Sequence, residues 1–383
     1  MASRSNPSPP PEDTELTSGQ SPPIYSLLRP YAAFPKKITG PTVWTKEEYE
    51  QNPTRWTHAF TSQEIKELGD ATDQWITSGK PLVKITKEYF PFPTLAGVLA
   101  NIRQILLDGP GFVLFKGIPV ETWGTPKSAV AYMALGSHLG HAVSQNGKGH
   151  ILGHVKDLNE DATRTDKVRI YRTNARQFFH TDAGDMVGLL CLARALEGGE
   201  SDVVSTHNLF NVLQEENPRV AELLTQPIWY FDQKGETSDG QKEWIRGTML
   251  YIEPKEGGRV FGSFDPYYVT SLKRFSDAGL VPPLSDEQKN ALEVLESTCL
   301  RLALHMILEV GDIQFLSNAQ VLHARTAYKD AAPPAPRRHL LRLWLSTPEY
   351  EGGWKIPFED SNRRLRSGIQ VNRTPPVANL EAD

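Results

Sequence analysis

The segment Phe179-His180-Thr181-Asp182 places an imidazole and a carboxylate two residues apart. Because side chains i and i+2 of a β-strand point to the same face, both groups can reach one metal ion. A second strand would have to bring His323, far downstream, to the same ion. Two histidines and one carboxylate with open positions form the ligand set of mononuclear non-haem iron sites. The segment therefore predicts a metal site between two strands that are distant along the chain.

The His-x-Asp pattern is informative only in its context. With 10 histidines and 46 acidic residues among 383 positions, chance gives roughly one such pattern, and one is present. A surface His-x-Asp pair is the alternative that the rest of the sequence must exclude. Asp185 is a rival carboxylate, but it lies three residues beyond Asp182 and would point to the opposite face of a strand.

Composition excludes several classes of partner. The hydrophobic content of 39% suits an ordinary globular core, and a net charge of -5 gives no basic footprint for nucleic acid or an anionic membrane. Cys191 and Cys299 are too few for a disulfide framework or a cysteine-rich zinc site, and they suit a reducing compartment. With no apolar signal core and no long apolar stretch, we expect a cytoplasmic protein that acts on a small molecule. The sequence leaves open whether the protein forms a homo-oligomer.

The chain divides into a tail and one domain. Residues 1–30 are rich in serine and proline and are expected to be a disordered tail, whereas residues 31–383 are expected to form a single domain. Capping boxes at 61–64 and 285–288 predict two helices. Apolar spacing and breaker residues predict further helices at 93–107 and 208–224, and strands at 112–115, 189–205 and 339–345.

A second group of residues could bind a carboxylate. In the run Arg337-Arg338-His339-Leu340-Leu341-Arg342, an arginine within an apolar strand is costly to bury without a partner. A carboxylate can supply that partner through two hydrogen bonds. Arg338 and Arg342 share a face if the strand is regular. Ser201, just past the glycine turn Gly198-Gly199, adds a hydroxyl. Together a hydroxyl and an arginine can hold the distal carboxylate of a dicarboxylic co-substrate.

In their order and spacing, these pieces resemble the taurine dioxygenase-like (clavaminate synthase-like) family of Fe(II)- and 2-oxoglutarate-dependent oxygenases. The resemblance covers roughly residues 90 to 347. The matching pieces are Gly111-Phe112-Val113-Leu114-Phe115 with Gly117, Phe179-His180-Thr181-Asp182, Gly198-Gly199-Glu200-Ser201, Gly311-Asp312 leading to Asn318 and His323, and Arg337-Arg338 with Arg342. Where the family often has threonine this chain has Ser201, which keeps the hydroxyl.

The resemblance implies an α+β fold with a mainly β core, a double-stranded β-helix (jelly roll) with helical additions. By motif position it assigns Fe(II) to His180, Asp182 and His323, 2-oxoglutarate to Ser201 and Arg338, and an anionic group of the substrate to Arg342. Residues 329–336, rich in alanine and proline, lengthen the spacing between His323 and the arginines. Arg337 is therefore an alternative to Arg338. Arg325 and Arg363-Arg364 could also approach the pocket.

The resemblance further implies a dioxygenase that uses Fe(II), 2-oxoglutarate and O2. It would oxidise an unactivated C–H bond of a small anionic organic substrate by hydroxylation and release succinate and CO2. Desaturation or ring closure at the same site is an alternative. Two more distant alternatives are a non-catalytic jelly-roll binding module and a zinc hydrolase. The sequence does not identify the substrate, because loops around the pocket determine it.

Overall fold

The computed structural model describes residues 28–255, 257–358 and 360–382. Residues 1–27, which make up most of the predicted disordered tail, lie outside the described residues, so that prediction stays untested. Across the described ranges, none of the helices combines the length and the apolarity that crossing a membrane requires.

Helices precede the β core and also interrupt it. The described residues contain nine α-helices: α1 (Lys46–Glu50), α2 (Ser62–Thr77), α3 (Leu95–Asp108), α4 (Val120–Ser137), α5 (Thr206–Glu216), α6 (Pro218–Leu224), α7 (Pro266–Thr270), α8 (Lys273–Asp277) and α9 (Asp286–Leu302). Both predicted capping boxes are present, at Thr61 with Glu64 and at Ser285 with Gln288.

The strands are short and spread over the whole described chain. Their bounds are β1 (Thr57–Ala59), β2 (Phe112–Lys116), β3 (His141–Ala142), β4 (Leu152–Val155), β5 (Gln177–His180), β6 (Met186–Ala193), β7 (Glu197–Gly198), β8 (Ser201–Ser205), β9 (Trp229–Asp232), β10 (Trp244–Gly247), β11 (Leu250–Ile252), β12 (Val260–Gly262), β13 (Leu304–Met306), β14 (Ile313–Ser317), β15 (Val321–Arg325), β16 (Tyr328–Lys329) and β17 (His339–Ser346).

Two sheets form the β core. The larger sheet has the strand order β1-β2-β14-β6-β17-β3, with β4 also paired to β17, and the smaller has the order β13-β8-β15-β5. Apolar side chains fill the space between them, among them Phe112, Val187 and Leu316 from the larger sheet and Val203 and Leu304 from the smaller. Two facing sheets with this strand order are the arrangement of the predicted double-stranded β-helix.

Helices cover both outer faces of the sheets. Side chains of α2, α3 and α4 pack on the larger sheet in one buried cluster, and those of α5, α6 and α9 pack on the smaller sheet in another. The helix predicted over 208–224 is wrong in one respect, because it breaks into α5 and α6 at Asn217. Pro218 lacks an N–H and excludes the helical conformation of the residue before it, so it begins a new helix instead.

The metal-binding motif also differs from its predicted geometry. Strand β5 ends at His180, so Asp182 lies in the loop that follows and not on the strand. Its position is set by Asn318, whose Oδ1 accepts a hydrogen bond from the Asp182 N–H at 2.8 Å. Asn318 also donates to the carbonyl oxygens of Asp182 and Gly184. A side chain from the β14–β15 turn therefore replaces strand alternation in directing the carboxylate.

Candidate metal and co-substrate site

Two neighbouring strands of the smaller sheet bring the histidines together. His180 at the end of β5 lies directly opposite His323 in β15, and their ring centroids are 4.1 Å apart. Asp182 Oδ2 is 3.7 Å from His323 Nε2. One potential ligand atom from each of the three residues lies within 4.8 Å of the others. The predicted triad thus assembles at one point inside the jelly roll.

The protonation states of the triad suit a cation. Burial raises the pKa of Asp182, but Arg342 and the two histidines outweigh it and hold that pKa well below its usual range. Burial and the neighbouring His180 lower the pKa of His323 to about 4. At neutral pH the site therefore presents an ionised carboxylate and a neutral His323 imidazole, the forms in which these side chains bind metals.

Hydrogen bonds orient the His180 ring. Its Nδ1 lies 2.9 Å from the carbonyl oxygen of Phe178, which accepts a hydrogen bond and leaves Nε2 on the side of the triad. The Gln177 amide nitrogen is 2.9 Å from that Nε2. No motif in the sequence marks Gln177. Its pairing opposite Arg325 of β15 places it in the pocket.

The three residues fit a divalent metal ion. Asp182 Oδ2 is buried and has no hydrogen-bond partner among the described residues, which is costly unless an ion or a ligand satisfies it. Two imidazoles and one carboxylate suit Fe(II), and they leave positions open for other ligands. Asp185, the rival carboxylate, is not part of this group. It accepts hydrogen bonds from Arg366 Nε at 2.8 Å and from the Thr347 N–H at 2.7 Å.

Arg342 lies against the triad and has partners within the protein. Its Nη1 donates to Asp182 Oδ1 at 3.1 Å, and its Nε donates to Gln145 Oε1 at 2.8 Å. Its guanidinium carbon is 4.7 Å from the ring centroids of both Tyr171 and Trp344. The expectation that Arg342 is a cation without a partner in the protein is wrong, because Asp182, from a segment distant along the chain, pairs with it.

Arg338 and Ser201 line the same cavity as the triad. Arg338 is 6% exposed, and its Nη2 donates to the Gly199 carbonyl at 3.1 Å. Arg337 points away and pairs with Asp157 and Asp330 at 2.6 and 3.1 Å. Between the two arginines, the structure therefore places Arg338 at the cavity, in the position that the resemblance implied.

The Ser201 hydroxyl is held by a residue that the sequence analysis missed. Gln314 of β14 contacts Ser201 Oγ through both amide atoms, at 3.1 and 3.2 Å. Arg325 also lines the cavity, as the sequence analysis considered, whereas Arg363 and Arg364 are exposed. No signal in the sequence singles out Gln314, because its role comes from the pairing of distant strands.

A jelly roll that holds two histidines and one carboxylate beside a buried arginine is the arrangement expected of an oxygenase that uses Fe(II) and 2-oxoglutarate. The chain belongs to the taurine catabolism dioxygenase TauD, TfdA family, whose model matches residues 78–344. It is therefore an Fe(II)- and 2-oxoglutarate-dependent dioxygenase, as the sequence predicted. Membership of this class excludes the two alternative functions, a non-catalytic binding module and a zinc hydrolase.

Two relatives match most of the chain. FR-33289 synthase of Streptomyces rubellomurinus (strain ATCC 31215) is 30% identical over 338 residues, covering 86% of this chain and 95% of that protein. The taurine hydroxylase-like protein SAT17 of Stachybotrys chartarum (strain CBS 109288 / IBT 7711) is 24% identical over 327 residues, covering 84% and 82%. Both alignments extend beyond the metal site into the surrounding fold.

Solved structures share the fold at low sequence identity. The non-heme iron oxygenase OrfP in complex with Fe and alpha-ketoglutaric acid gives a TM-score of 0.56 at 16% identity, covering 76% of this chain and 94% of that one. Asparagine oxygenase (AsnO) gives a TM-score of 0.58 at 15% identity, covering 76% and 93%. These likenesses confirm the double-stranded β-helix.

Proposed function

We propose that the protein hydroxylates an unactivated C–H bond of a small anionic organic molecule, with release of succinate and CO2. His180, Asp182 and His323 hold Fe(II), and Arg338 with Ser201 binds the distal carboxylate of 2-oxoglutarate. The observation that carries the proposal is that one cavity is lined by these three possible metal ligands, a buried arginine and a hydroxyl. A zinc hydrolase would have no need for the arginine.

Each residue has a defined task in this proposal. Iron held by these three residues would supply the activation of O2, with 2-oxoglutarate as the co-substrate that is converted to succinate and CO2. Asp182 contributes the negative charge that attracts the metal, and Asn318 and Arg342 fix its orientation. Arg338 offers its Nη1, which is buried without a partner among the described residues, to a carboxylate. The apolar walls formed by Leu189, Leu308 and Leu340 limit access of water to the reacting atoms.

The anionic character of the substrate rests on Arg342. This guanidinium reaches the triad from the side of Tyr171 and Gln145, and it lines the cavity beside Asp182. Since Asp182 already takes part of its hydrogen-bonding capacity, a substrate anion would share the guanidinium with a metal ligand. Substrate binding would then be coupled to the electrostatics of the metal site.

Names of relatives support hydroxylation and small polar substrates. One relative is described as taurine hydroxylase-like. Structures of the same fold contain (3S)-hydroxy-L-Arg in OrfP, and 2S,3S-3-hydroxyasparagine with succinate in asparagine oxygenase. These compounds are bound by OrfP and by asparagine oxygenase. They motivate a search among small acids and amino acids.

The test is a screen for succinate release with Fe(II), 2-oxoglutarate and O2 against amino acids, sulfonates and other small acids. The expected product of a coupled substrate carries one added oxygen atom. A product that lacks two hydrogens would instead indicate desaturation or ring closure. His323→Ala should abolish turnover and lower the iron retained after gel filtration. Full turnover by His323→Ala at limiting iron would overturn the metal assignment.

A further inference from the structure

Three buried polar groups lie close together beside the Arg338 end of the cavity. Arg338 Nη1, Arg325 Nε and the Tyr328 hydroxyl are buried, and among the described residues none of them has a well-aligned hydrogen-bond partner. Each of the three side chains belongs to a residue that is only 6% exposed. Unsatisfied buried polar groups are rare in proteins, and each needs an explanation, such as a bound ion, a catalytic role or a ligand. Their number at one place indicates a single acceptor.

Charge also indicates that this acceptor is an anion. Arg325 and Arg338 lie in one cavity, and within the described ranges neither has a carboxylate oxygen within 4.0 Å. The acids whose charges act on these two arginines, Asp157 and Asp330, are paired with Arg337 outside the cavity. Asp182, the carboxylate of the cavity lining, is paired with Arg342. Two buried cations without a counterion are costly unless a bound anion compensates them.

Tyr328 lies between the two cations. Its ring centroid is 4.7 Å from the guanidinium carbon of Arg325 and 5.0 Å from that of Arg338. The backbone of β16 fixes the residue, since the Tyr328 N–H donates to the Asn174 carbonyl at 3.1 Å. A phenol held between two guanidinium groups presents its oxygen to donors, so its own hydrogen needs an acceptor elsewhere. A carboxylate in the cavity would be that acceptor.

We infer that the Tyr328 hydroxyl is a further ligand of the distal carboxylate of 2-oxoglutarate, beside Arg338 and Ser201. This inference rests on the proposed function, because it takes the anion to be the co-substrate. Arg325 adds the second positive charge and orients the phenol. Its own Nη1 is occupied by the Thr173 carbonyl at 3.1 Å. The site then matches the end of a dicarboxylic 2-oxo acid and discriminates against a monocarboxylic one.

The experiment compares two ligands and two phenol-deleting variants. The ligands are 2-oxoglutarate and 2-oxopentanoate, which has the same 2-oxo acid end but no distal carboxylate. Dissociation constants are measured by equilibrium dialysis of the full chain loaded with Fe(II) under argon, so no turnover is needed. Tyr328→Phe should weaken 2-oxoglutarate binding about 10- to 100-fold, as expected for loss of a hydrogen bond to a charged group. Binding of 2-oxopentanoate should stay within about twofold, since it lacks the acceptor.

Tyr267→Phe is the matched control, because its hydroxyl donates to the Val168 carbonyl at 2.7 Å. It should bind both ligands as the wild type does. Equal 2-oxoglutarate binding by Tyr328→Phe and wild type would overturn the inference and leave the proposed function intact. An equal loss for both ligands would assign Tyr328 a structural role and also overturn it. Failure of the wild type to bind 2-oxoglutarate would instead overturn the proposed function.

Discussion

At the scale of single residues, what each charged group can bind depends on whether its atoms already have a partner within the protein. Asp182 is the proposed metal ligand and also the acceptor for Arg342 at 3.1 Å, so the two oxygens of one carboxylate serve different neighbours. Arg338, in contrast, keeps Nη1 without a partner among the described residues. The first arrangement fixes the proposed metal ligand, and the second leaves a guanidinium nitrogen available to bind an anion.

The adjacent arginines allow a matched test of the co-substrate site. Arg338→Ala should raise the KM for 2-oxoglutarate by tens- to thousands-fold, because removal of a buried charge-assisted contact costs about 2–5 kcal/mol. Arg337→Ala should leave that KM nearly unchanged, since Arg337 pairs with Asp157 and Asp330 outside the cavity. The measurement is the 2-oxoglutarate dependence of succinate release. The opposite pattern would move the binding role to Arg337.

The residues that the sequence proposes for the site have distinctive chemistry, whereas residues that depend on distant partners are not marked in it. A metal-binding or anion-binding side chain at a recognisable position in a motif distinguishes His180, Asp182, His323 and Arg338. Residues such as Gln145, Gln177, Gln314 and Asn318 are ordinary amides in the sequence. They acquire roles only when the strands and turns that carry them meet residues far along the chain.

At the scale of elements, the glycine turn between β7 and β8 shapes the Arg338 end of the cavity. Gly199 has φ 78°, and a Cβ atom there would lie 2.6 Å from Arg338 Nε and 3.3 Å from Tyr328 Cβ. The turn therefore permits both a left-handed backbone and the close approach of the arginine. The Gly198-Gly199 pattern in the sequence indicated a turn, but it could not show what packs against that turn.

In free-energy terms, Gly199→Ala should cost more in 2-oxoglutarate binding than in unfolding. Gly240→Ala is the matched control, because Gly240 has φ 81° and open space around its Cβ position. Both variants carry the backbone strain of a left-handed alanine, about 1–2 kcal/mol, and only Gly199→Ala displaces Arg338. Denaturant unfolding and the dissociation constant of 2-oxoglutarate separate the two effects. Equal affinities in the two variants would contradict this account of the turn.

The first turn of α5 contains a histidine that should make the protein sensitive to acid. His207 is buried between Thr42 and the Val260 carbonyl, and burial lowers its pKa from 6.5 to about 4. The unfolded chain therefore binds the proton first as the pH falls. His207 does not change the free energy of unfolding above about pH 6.5. Between pH 6.5 and pH 4 that free energy declines, by up to roughly 3 kcal/mol on account of this residue.

His207→Gln should remove that part of the pH dependence while it keeps a neutral polar side chain at the position. The free energy of unfolding of both proteins is measured in denaturant at pH 7 and pH 4.5. The wild type should lose more stability than the variant between these values. His323 and His339 also have lowered pKa values, but both proteins contain them, so their effects cancel in the comparison. Parallel losses would exclude His207 as the acid-sensitive group.

At the scale of the whole molecule, residues after β17 return to the loop that carries Asp182, the proposed metal ligand. The Gly368 N–H donates to the Ala183 carbonyl, next to Asp182. Ser367 Oγ donates to Asp185 Oδ1 at 3.3 Å. Farther back, Trp354 Nε1 donates to the Leu107 carbonyl at the end of α3 at 3.1 Å. The sequence indicated the jelly-roll strands through their apolar runs, whereas this irregular segment has no periodicity from which its path could be predicted.

Arg366 is the main link between that segment and the core. Its side chain is fully buried, and its Nε donates to Asp185 Oδ2 at 2.8 Å. Arg366→Met should cost about 3–5 kcal/mol of unfolding free energy, because it leaves a buried carboxylate without its cation. Arg364→Met, at an exposed position two residues earlier, should change stability little.

The Asp185–Arg366 pair can be separated from simple packing loss by a double variant. Asp185→Asn with Arg366→Met removes both charges, so it should be more stable than Arg366→Met alone if the unpaired carboxylate is the main cost. Arg366→Met should also retain less iron after gel filtration, because Asp185 anchors the loop three residues beyond Asp182. Unchanged iron retention in a clearly destabilised Arg366→Met protein would show that the metal loop holds its geometry without the C-terminal segment.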